Sequence, residues 1–372
     1  MKRRFVIGGV VVTWAFVMAC GSSSESGKDT RGLDEGRVDA SNEGGPSPDA
    51  SGPGDASSPD GSSPSDAAIP DTSPPDASRG VLTPSNLPAN ICDTPGTKDF
   101  AGGQLPVQCD AVIPQNGGPD ICLFKFANVS GDISASDPNE VIAVVATNSM
   151  QLGSYWVPQA LRAFGESNPK PALGGYCGGG GAGHGTAAAG SSGGVAYGSE
   201  TASPLLPGAS GAYALSVEGS GGESSYGGPG ASAVQFVSCG TLSITGSITA
   251  DGSDGYNGGT PGARGGGGGG SGGTILIEAL RVSATASSVL RANGGNGGGG
   301  LGYSGGAGGT ATSPPGPATC GEDQPGTYPP YTTGGGGGGA VGRIRINVAQ
   351  GTQPELLGSM SPAPSIGTVK TH

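Results

Sequence analysis

Two serines lie in the G-x-S-x-G pattern that presents the nucleophile of many serine hydrolases. Gly302–Gly306 places Ser304 in this pattern, and Gly190–Gly194 places Ser192 in it. In a hydrolase the motif joins a strand to a helix, and an acid and a histidine follow it along the chain. Here both matches lie in glycine-rich tracts, and His372 is the only histidine after Ser304. Because glycine and serine are so common in this chain, such matches arise by chance, and we predict no catalytic serine.

Three oxygen-bearing side chains recur at intervals of three residues. They are Asp251, Asp254 and Asn257, and a second copy of the pattern holds Asn293 and Asn296. Calcium takes several oxygen ligands, so the first three are weak candidates for a Ca²⁺ site. The second copy offers only neutral amides. We therefore favour a turn-forming role, because Asp and Asn beside glycine tolerate turn conformations, and we predict neither a metal nor another cofactor.

The aromatic pair Tyr155 and Trp156 is the one candidate for contact with a glycan, since aromatic faces stack on sugars. A single Trp is more commonly packed, and we expect Trp156 to lie beneath a cap. His184 stands between two glycines, and we expect it at the surface without a partner.

Polysaccharide cleavage needs a different set of residues. Hydrolysis uses two carboxylates about 5–10 Å apart, and lyases use a basic side chain beside a carboxylate cluster. Glu278, Arg281 and Arg291 are the nearest candidates, and they lack a companion acid. We predict that the protein is not an enzyme. A β-helix protein that binds or cleaves polysaccharide remains the alternative.

Seven cysteines are present, and six of them are candidates for disulfides. These six are Cys92, Cys109, Cys122, Cys177, Cys239 and Cys320. An even number in an exported chain indicates up to three disulfides, for which 15 pairings exist. The absence of a CxxC spacing argues against a zinc or dithiol redox site.

The seventh cysteine, Cys20, directly follows a segment with the features of an export signal. Lys2, Arg3 and Arg4 precede an uncharged apolar run that is too short to cross a bilayer. The run ends in Ala19-Cys20, which resembles the lipobox of bacterial lipoproteins. The resemblance implies cleavage before Cys20 and acylation of that residue. It further implies anchoring in the outer membrane, where we expect the protein at the cell surface.

Residues 21–80 form an acidic, low-complexity segment made almost only of Ser, Asp, Pro, Gly and Ala. With 12 acidic and 4 basic residues, its net charge is −8. Too few apolar groups are present to offset the entropy of ordering, so we predict a disordered tether. The whole chain carries a net charge of −12, which disfavours nucleic acid as a partner.

After the tether, short apolar segments alternate with glycine runs in internal repeats. Gly265–Gly270 and the following Ile275 and Ile277 recur 69 residues later, as Gly334–Gly339 with Ile344 and Ile346. Apolar residues alternate with polar ones in these segments, as in half-buried strands. Short strands stacked by repetition predict an all-β, right-handed β-helix or solenoid.

The glycine runs predict a second kind of structure. Polyglycine is entropically costly to order, and backbones that pack directly against each other could provide the compensation. We therefore expect long polyglycine II-like loops. The runs resemble the glycine-rich domain of certain receptor kinases. Binding to ice or another crystal surface is a further hypothesis, against which the lack of a strict three-residue period in the sequence argues.

Signal, tether and repeats together resemble bacterial glycine-rich surface lipoproteins. We divide the chain into a signal peptide (1–19), a lipid-anchored tether (20–80), a cysteine-containing N-terminal cap (81–135), a glycine-rich solenoid (136–350) and a C-terminal tail or cap (351–372). The predicted function is that of a structural or adhesive surface lipoprotein without catalytic activity. Its expected partners are the membrane, through Cys20, and surface polysaccharide or other cell-surface proteins.

Overall fold

The computed structural model describes residues 81–135, 141–160, 178–188, 193–214, 225–258, 265–300, 303–319 and 334–372. All of these belong to one compact unit, Ser73–His372. The predicted signal peptide, the tether and Cys20 lie outside the described residues, as do Ser192, Cys177 and Cys320.

The fold is all-β, as the sequence predicts. The strands are β1 (Leu82–Thr83), β2 (Gly103–Gln104), β3 (Ala111–Ile113), β4 (Ile121–Phe126), β5 (Val129–Ser134), β6 (Val141–Ala146), β7 (Ser149–Trp156), β8 (Gln159–Ala160), β9 (Gly230–Ala231), β10 (Ala233–Ile244), β11 (Ser247–Thr249), β12 (Thr274–Ala284), β13 (Val289–Arg291), β14 (Arg343–Ala349), β15 (Glu355–Leu356), β16 (Ser359–Ser361) and β17 (Ser365–Thr371). Fifteen of them form one mixed sheet, and β8 pairs separately with β9. Over the described ranges there is no helix, and so none that is long and apolar enough to cross a membrane.

Most strands of the large sheet pair in parallel. They form three series of laterally paired strands, which we call rows. The first row runs β4–β6–β10–β12–β14–β17. In the second row, β5, β7 and the later parts of β10 and β12 lead to β15. The end of β7 then joins β11, β13 and β16 in the third row. Thus β4 and β5, within the segment expected as a cap, pair in parallel with β6 and β7.

The sequence repeats coincide with the strand register. Ile275 pairs with Ile344 and Ile277 with Ile346, at the 69-residue shift seen in the sequence. In the third row Ile248 pairs with Leu290, 42 residues later. Equivalent positions therefore lie side by side, and their side chains form apolar ladders inside the sheet.

The main apolar core lies between the three rows. Alternate residues of each strand point into it, and the first row contributes the ladder Val144, Phe236, Ile277 and Ile346. A second cluster covers the outer side of the first row. There Leu82, Leu87 and Ile91 pack with residues such as Val237 and Leu276. The first row is thus buried on both sides, which suits its nearly continuous apolar sequence.

Two disulfides hold the N-terminal segment. Cys92 is bonded to Cys239, which lies in β10, at a sequence separation of 147. Cys109 is bonded to Cys122 across the antiparallel pair β3–β4, with a separation of 13 residues. The prediction of disulfide-bonded cysteines is confirmed for these four.

The glycine-rich segments lie side by side and are joined by hydrogen bonds between their backbones. We call these segments the glycine bundle. Gly266, Gly269 and Gly272 donate N–H bonds to Gly334, Gly337 and Ala340. Their neighbours in the chain bond elsewhere: Gly267 donates to Tyr256, and Gly268 donates to Ala212. Partners therefore change from residue to residue and return every third residue.

Segment 265–273 is surrounded by other extended segments. It donates to segments 334–340, 250–256 and 209–212, and it accepts from segments 179–182, 295–298 and 228–231. Such close contact leaves no room for a side chain at most of the glycines in this segment. A Cβ added at Gly268 would overlap the carbonyl oxygen of Gly180, and one added at Gly339 would overlap that of Gly270.

The prediction that Asp-Gly and Asn-Gly form turns is wrong. Residues 251–258 and 292–299 are extended, and positive φ angles are absent from Gly252, Gly255, Gly294 and Gly297. The physical reason is that backbone groups in these segments bond to neighbouring segments rather than locally.

We expect Gly268→Ala to destabilise the protein by about 3 kcal/mol, because one methyl group must displace the Gly180 carbonyl, which accepts the Ala212 N–H. The urea midpoint of unfolding measures this loss. Gly299→Ala is the matched control and should lose less stability. Its Cβ would lie 3.3 Å from the Tyr303 oxygen and 3.5 Å from Asn257 Oδ1, so it would not overlap a carbonyl as at Gly268. Equal losses in the two variants would contradict the packed arrangement.

The two disulfides should differ in their contributions to stability. In the chain-entropy model, loops of 147 and 13 residues correspond to about 5 and about 3 kcal/mol. Replacing Cys92 and Cys239 together by Ser should therefore lower the free energy of unfolding more than replacing Cys109 and Cys122. Peptide mapping of the unreduced protein checks the pairing, and a Cys92–Cys109 peptide would refute it.

Candidate functional site

The weak calcium candidates are bonded to backbone. Asp251 Oδ1 accepts the N–H of Asn293 at 2.8 Å, and Asp254 Oδ1 accepts that of Asn296 at 2.7 Å. Asn257 Oδ1 likewise accepts the Gly299 N–H at 2.7 Å. Each bond joins residues that are 42 positions apart, which is the shift between the two copies of the Asp/Asn pattern in the sequence. These side chains therefore act as hydrogen-bond acceptors for the next segment of the glycine bundle.

The equivalent residues of the second copy act in the same way. Asn296 Oδ1 accepts the Gly308 N–H at 2.9 Å, and Asn293 Oδ1 accepts the Ser361 hydroxyl at 2.6 Å. Among the residues that the structure describes, no three His, Cys, Asp or Glu side chains come together as a set that could hold a metal ion.

Glu278 is fully buried on the outer side of the first row. Its carboxylate accepts the Ser85 hydroxyl at 2.6 Å and the Ser85 N–H at 3.0 Å. Gln235 Nε2 donates to it at 2.7 Å and Asn347 Nδ2 at 2.9 Å. The carboxylate thus joins β10, β12 and β14 to the N-terminal segment, and its oxygens are committed to that structural role.

His184 is fully buried, so the expectation of a surface position is wrong. Its Nδ1 lies 2.7 Å from the Gly272 carbonyl oxygen, and because a carbonyl only accepts, Nδ1 carries the proton. The ring packs against that of Tyr197, with centroids 4.7 Å apart. Burial lowers the pKa of His184 to about 4, with a smaller contribution in the same direction from Arg343 and an opposing one from the Gly272 bond.

Ser304 has no histidine beside it in the described chain that could serve as a base. His372 lies against the N-terminal segment, where Nδ1 is 2.9 Å from Thr83 Oγ1 and Nε2 is 3.5 Å from Asp93 Oδ1. His184 is committed to Gly272. The G-x-S-x-G pattern at Ser304 therefore has no structural counterpart of a catalytic triad.

The structure separates the two members of the aromatic pair. Tyr155 is 1% exposed and meets Phe236 edge to face at 5.4 Å, so it belongs to the core. Trp156 is 71% exposed, and the expectation that it packs beneath a cap does not hold. Alternation along β7 explains the difference, since successive side chains of a strand point to opposite faces.

Trp156 begins a line of side chains across the outer face of the third row. Thr249 pairs with Trp156, Arg291 with Thr249, and Ser361 with Arg291. Trp156 and Arg291 are two strands apart, so at the strand spacing of a sheet their Cα atoms lie about 10 Å from each other. Asp251 Oδ2 accepts from Arg291 Nε at 2.5 Å and so orients its guanidinium. We call Trp156, Thr249, Arg291 and Ser361 the Trp156 line.

The surface around these residues has the character of a contact surface rather than of a reaction centre. It offers one aromatic face, hydroxyl groups and an oriented cation on a continuous parallel sheet. Residue types alone could not reveal this line, because its members come from four separate strands. The 42-residue repeat, which pairs Thr249 with Arg291, is the one signal that anticipates part of it.

We expect the stability of the protein to fall as the pH decreases from about 6.5 towards 4. The pKa of His184 is lowered from 6.5 to about 4, so in this window the unfolded chain binds a proton that the folded chain excludes. The full effect is about 3 kcal/mol. Urea unfolding at pH 7 and pH 4 should show a smaller pH-dependent loss for His184→Gln than for the wild type. His372→Gln is the exposed control, and an unchanged loss in His184→Gln would refute the assignment.

Comparison with known proteins gives no relative from which a function could be transferred. No protein-family model matches the chain, and neither a curated protein nor a solved structure matches it significantly.

Proposed function

We propose that this chain is a lipid-anchored cell-surface protein with a structural or adhesive role and no catalytic activity. The observation that carries the proposal is the contrast between interior and surface in the described residues. Glu278 and His184 are buried and bonded internally, whereas Trp156 is exposed on a continuous sheet face. Such a face supports contact with another surface.

The proposed membrane anchoring rests on Cys20, whose surrounding sequence resembles a lipobox. The disulfides Cys92–Cys239 and Cys109–Cys122 support an oxidising, extracytoplasmic compartment. The finer architecture belongs to the same proposal. Three in-register rows support a right-handed β-solenoid, and the three-residue recurrence of backbone partners supports a polyglycine II-type bundle beside it.

Binding of surface polysaccharide is the second candidate function, and the exposure of Trp156 favours it. An exposed indole presents a flat apolar face on which a sugar ring can stack. Thr249 adds a hydroxyl group along the same line, and Arg291 adds donors. Cleavage of the polymer finds less support, because Glu278, the candidate acid, is buried beneath the N-terminal segment.

The anchor is tested by metabolic acyl labelling of the wild type and of Cys20→Ser, combined with protease treatment of intact cells. Label that is lost in Cys20→Ser, together with release of the folded part from wild-type cells, is the expected result. Label without release would place the protein on the periplasmic side and remove the adhesive role. Label that persists in Cys20→Ser would overturn the anchor itself.

Trp156→Ala should weaken attachment of cells or of purified protein to polysaccharide-coated surfaces by at least about tenfold, because one stacked aromatic contributes more than about 1.4 kcal/mol. Stability should hardly change, since the side chain is exposed. Tyr226→Ala is the control, because Tyr226 is also exposed, at 67%, but lies in the glycine bundle. Equal attachment of Trp156→Ala and the wild type would count against the Trp156 line as a contact surface.

A further inference from the structure

A polar groove of about 580 Å³ lies on the outer side of the second row, beside the loop 350–354. It is separate from the Trp156 line, which belongs to the third row. The polar side chains that line it include Thr241, Ser243, Arg281, Ser283, Gln353 and Glu355. We call these residues the Arg281 groove.

The groove arises from a gap in strand pairing. β12 pairs with β14 up to Ala279 and pairs with β15 from Ser283 onward. Between these points the chain passes through the loop 350–354, where Gly351 has a φ of +78°. On its other side β12 remains paired, Arg281 with Thr241. The floor of the groove is therefore the β10–β12 pair, just after the bulge between Ser238 and Thr241, and only the neighbouring chain between β14 and β15 departs.

The polar groups of the Arg281 groove are uncommitted. Within the described chain, none of the six side chains has a hydrogen bond or an ion pair with another side chain or with backbone. This contrasts with Glu278, whose carboxylate is bonded by Ser85, Gln235 and Asn347. The groove thus faces outward with a set of donors and acceptors that the fold does not use.

The mixture of these groups restricts the occupant. Arg281 only donates and Glu355 only accepts, while the hydroxyls and the Gln353 amide do both. Glu355 disfavours an anion, and Arg281 disfavours a metal cation. An apolar molecule would leave polar groups unsatisfied. An extended peptide cannot continue along the gap, because β14 and β15 close it at both ends.

A saccharide meets these demands, since each of its hydroxyl groups both donates and accepts. We propose that the Arg281 groove binds an uncharged saccharide segment of a polymer, with Glu355 accepting from one hydroxyl group and Arg281 donating to another. The volume falls within the usual range for ligand sites. The groove requires neither the lipid anchor nor Trp156, so this inference goes beyond the proposed function and does not depend on it.

An open groove of this kind binds weakly, at roughly millimolar strength. Many copies on one surface would raise the effective affinity, because linked sites bind a polymer together. The site therefore suits the recognition of a repetitive polymer better than that of a single free sugar.

The test uses the full chain, purified in detergent, and uncharged tetrasaccharides of glucose, galactose, mannose and xylose. Binding is followed by titration calorimetry up to 10 mM ligand, a limit of about ten times the expected Kd. Arg281→Ala and Glu355→Gln should each weaken binding about tenfold. Lys370→Ala is the control, because Lys370 is an exposed cation in β17 that lies outside both the groove and the Trp156 line. Urea midpoints confirm that each variant is folded.

Loss of binding in both groove variants but not in Lys370→Ala supports the proposal. No binding of any tetrasaccharide overturns it. Sulfate binding that strengthens in Glu355→Gln and disappears in Arg281→Ala would instead identify an anion site and overturn it as well. Saccharide binding that is lost in Trp156→Ala but retained in Arg281→Ala would refute the groove and leave the second candidate function standing.

Discussion

Direct hydrogen bonding between glycine backbones is the interaction on which the rest of this structure depends. Glycine loses more conformational freedom on folding than any other residue, so a run of it needs strong compensation. Segment 265–273 obtains it by bonding to six neighbouring segments, three as donor and three as acceptor. Because a Cβ added at any of Gly266–Gly270, at Gly272 or at Gly273 would overlap a carbonyl oxygen, the absence of side chains there is a packing requirement rather than a sign of flexibility.

The bundle and the parallel sheet fix each other's register. Gly273 directly precedes β12, and Gly342 directly precedes β14, so the same chain passes from bundle to strand. The Arg343 N–H donates to Gly273 at 2.9 Å at this junction. A slip of one residue would break the backbone bonds of the bundle and reverse the alternation of inward and outward side chains in the strand. Polar side chains serve the same end, since Asp251, Asp254 and His184 all bond to backbone of neighbouring segments.

The strands were predictable from the sequence, and the bundle was predictable only in part. Alternation and the 69-residue repeat anticipated the pairing of Ile275 with Ile344, because a two-residue period in apolar side chains records burial directly. The three-residue recurrence leaves no trace in the residue types of a pure glycine run such as 265–270, although Asp251, Asp254 and Asn257 show it in a neighbouring segment. It resides in the partners of the N–H groups, as at Gly266, Gly269 and Gly272.

The site residues were harder to predict, because burial depends on long-range contacts. His184 lies in a stretch of glycine and alanine, and its environment comes from Tyr197, Thr274 and Gly272, the last two about 90 positions away. Glu355 enters the Arg281 groove only because the chain leaves the sheet after β14 and returns at β15. No local pattern marks either event.

The attachment of the N-terminal segment has a mechanical consequence. If the chain is anchored at Cys20 as proposed, tension reaches the folded part through Val81, whose N–H donates to the His372 carbonyl at 2.8 Å. The β1–β17 pair and the bonds of Ser85 to Glu278 carry the load first. Were they to yield, peeling would uncover the apolar cluster of Leu82 and Leu87 but would stop at Cys92. There the disulfide passes the force covalently to β10, within the first row of strands. The protein would therefore lengthen by at most the 11 residues from Val81 to Cys92 under load and then resist. Only reduction of that bond would let the pull continue along the chain.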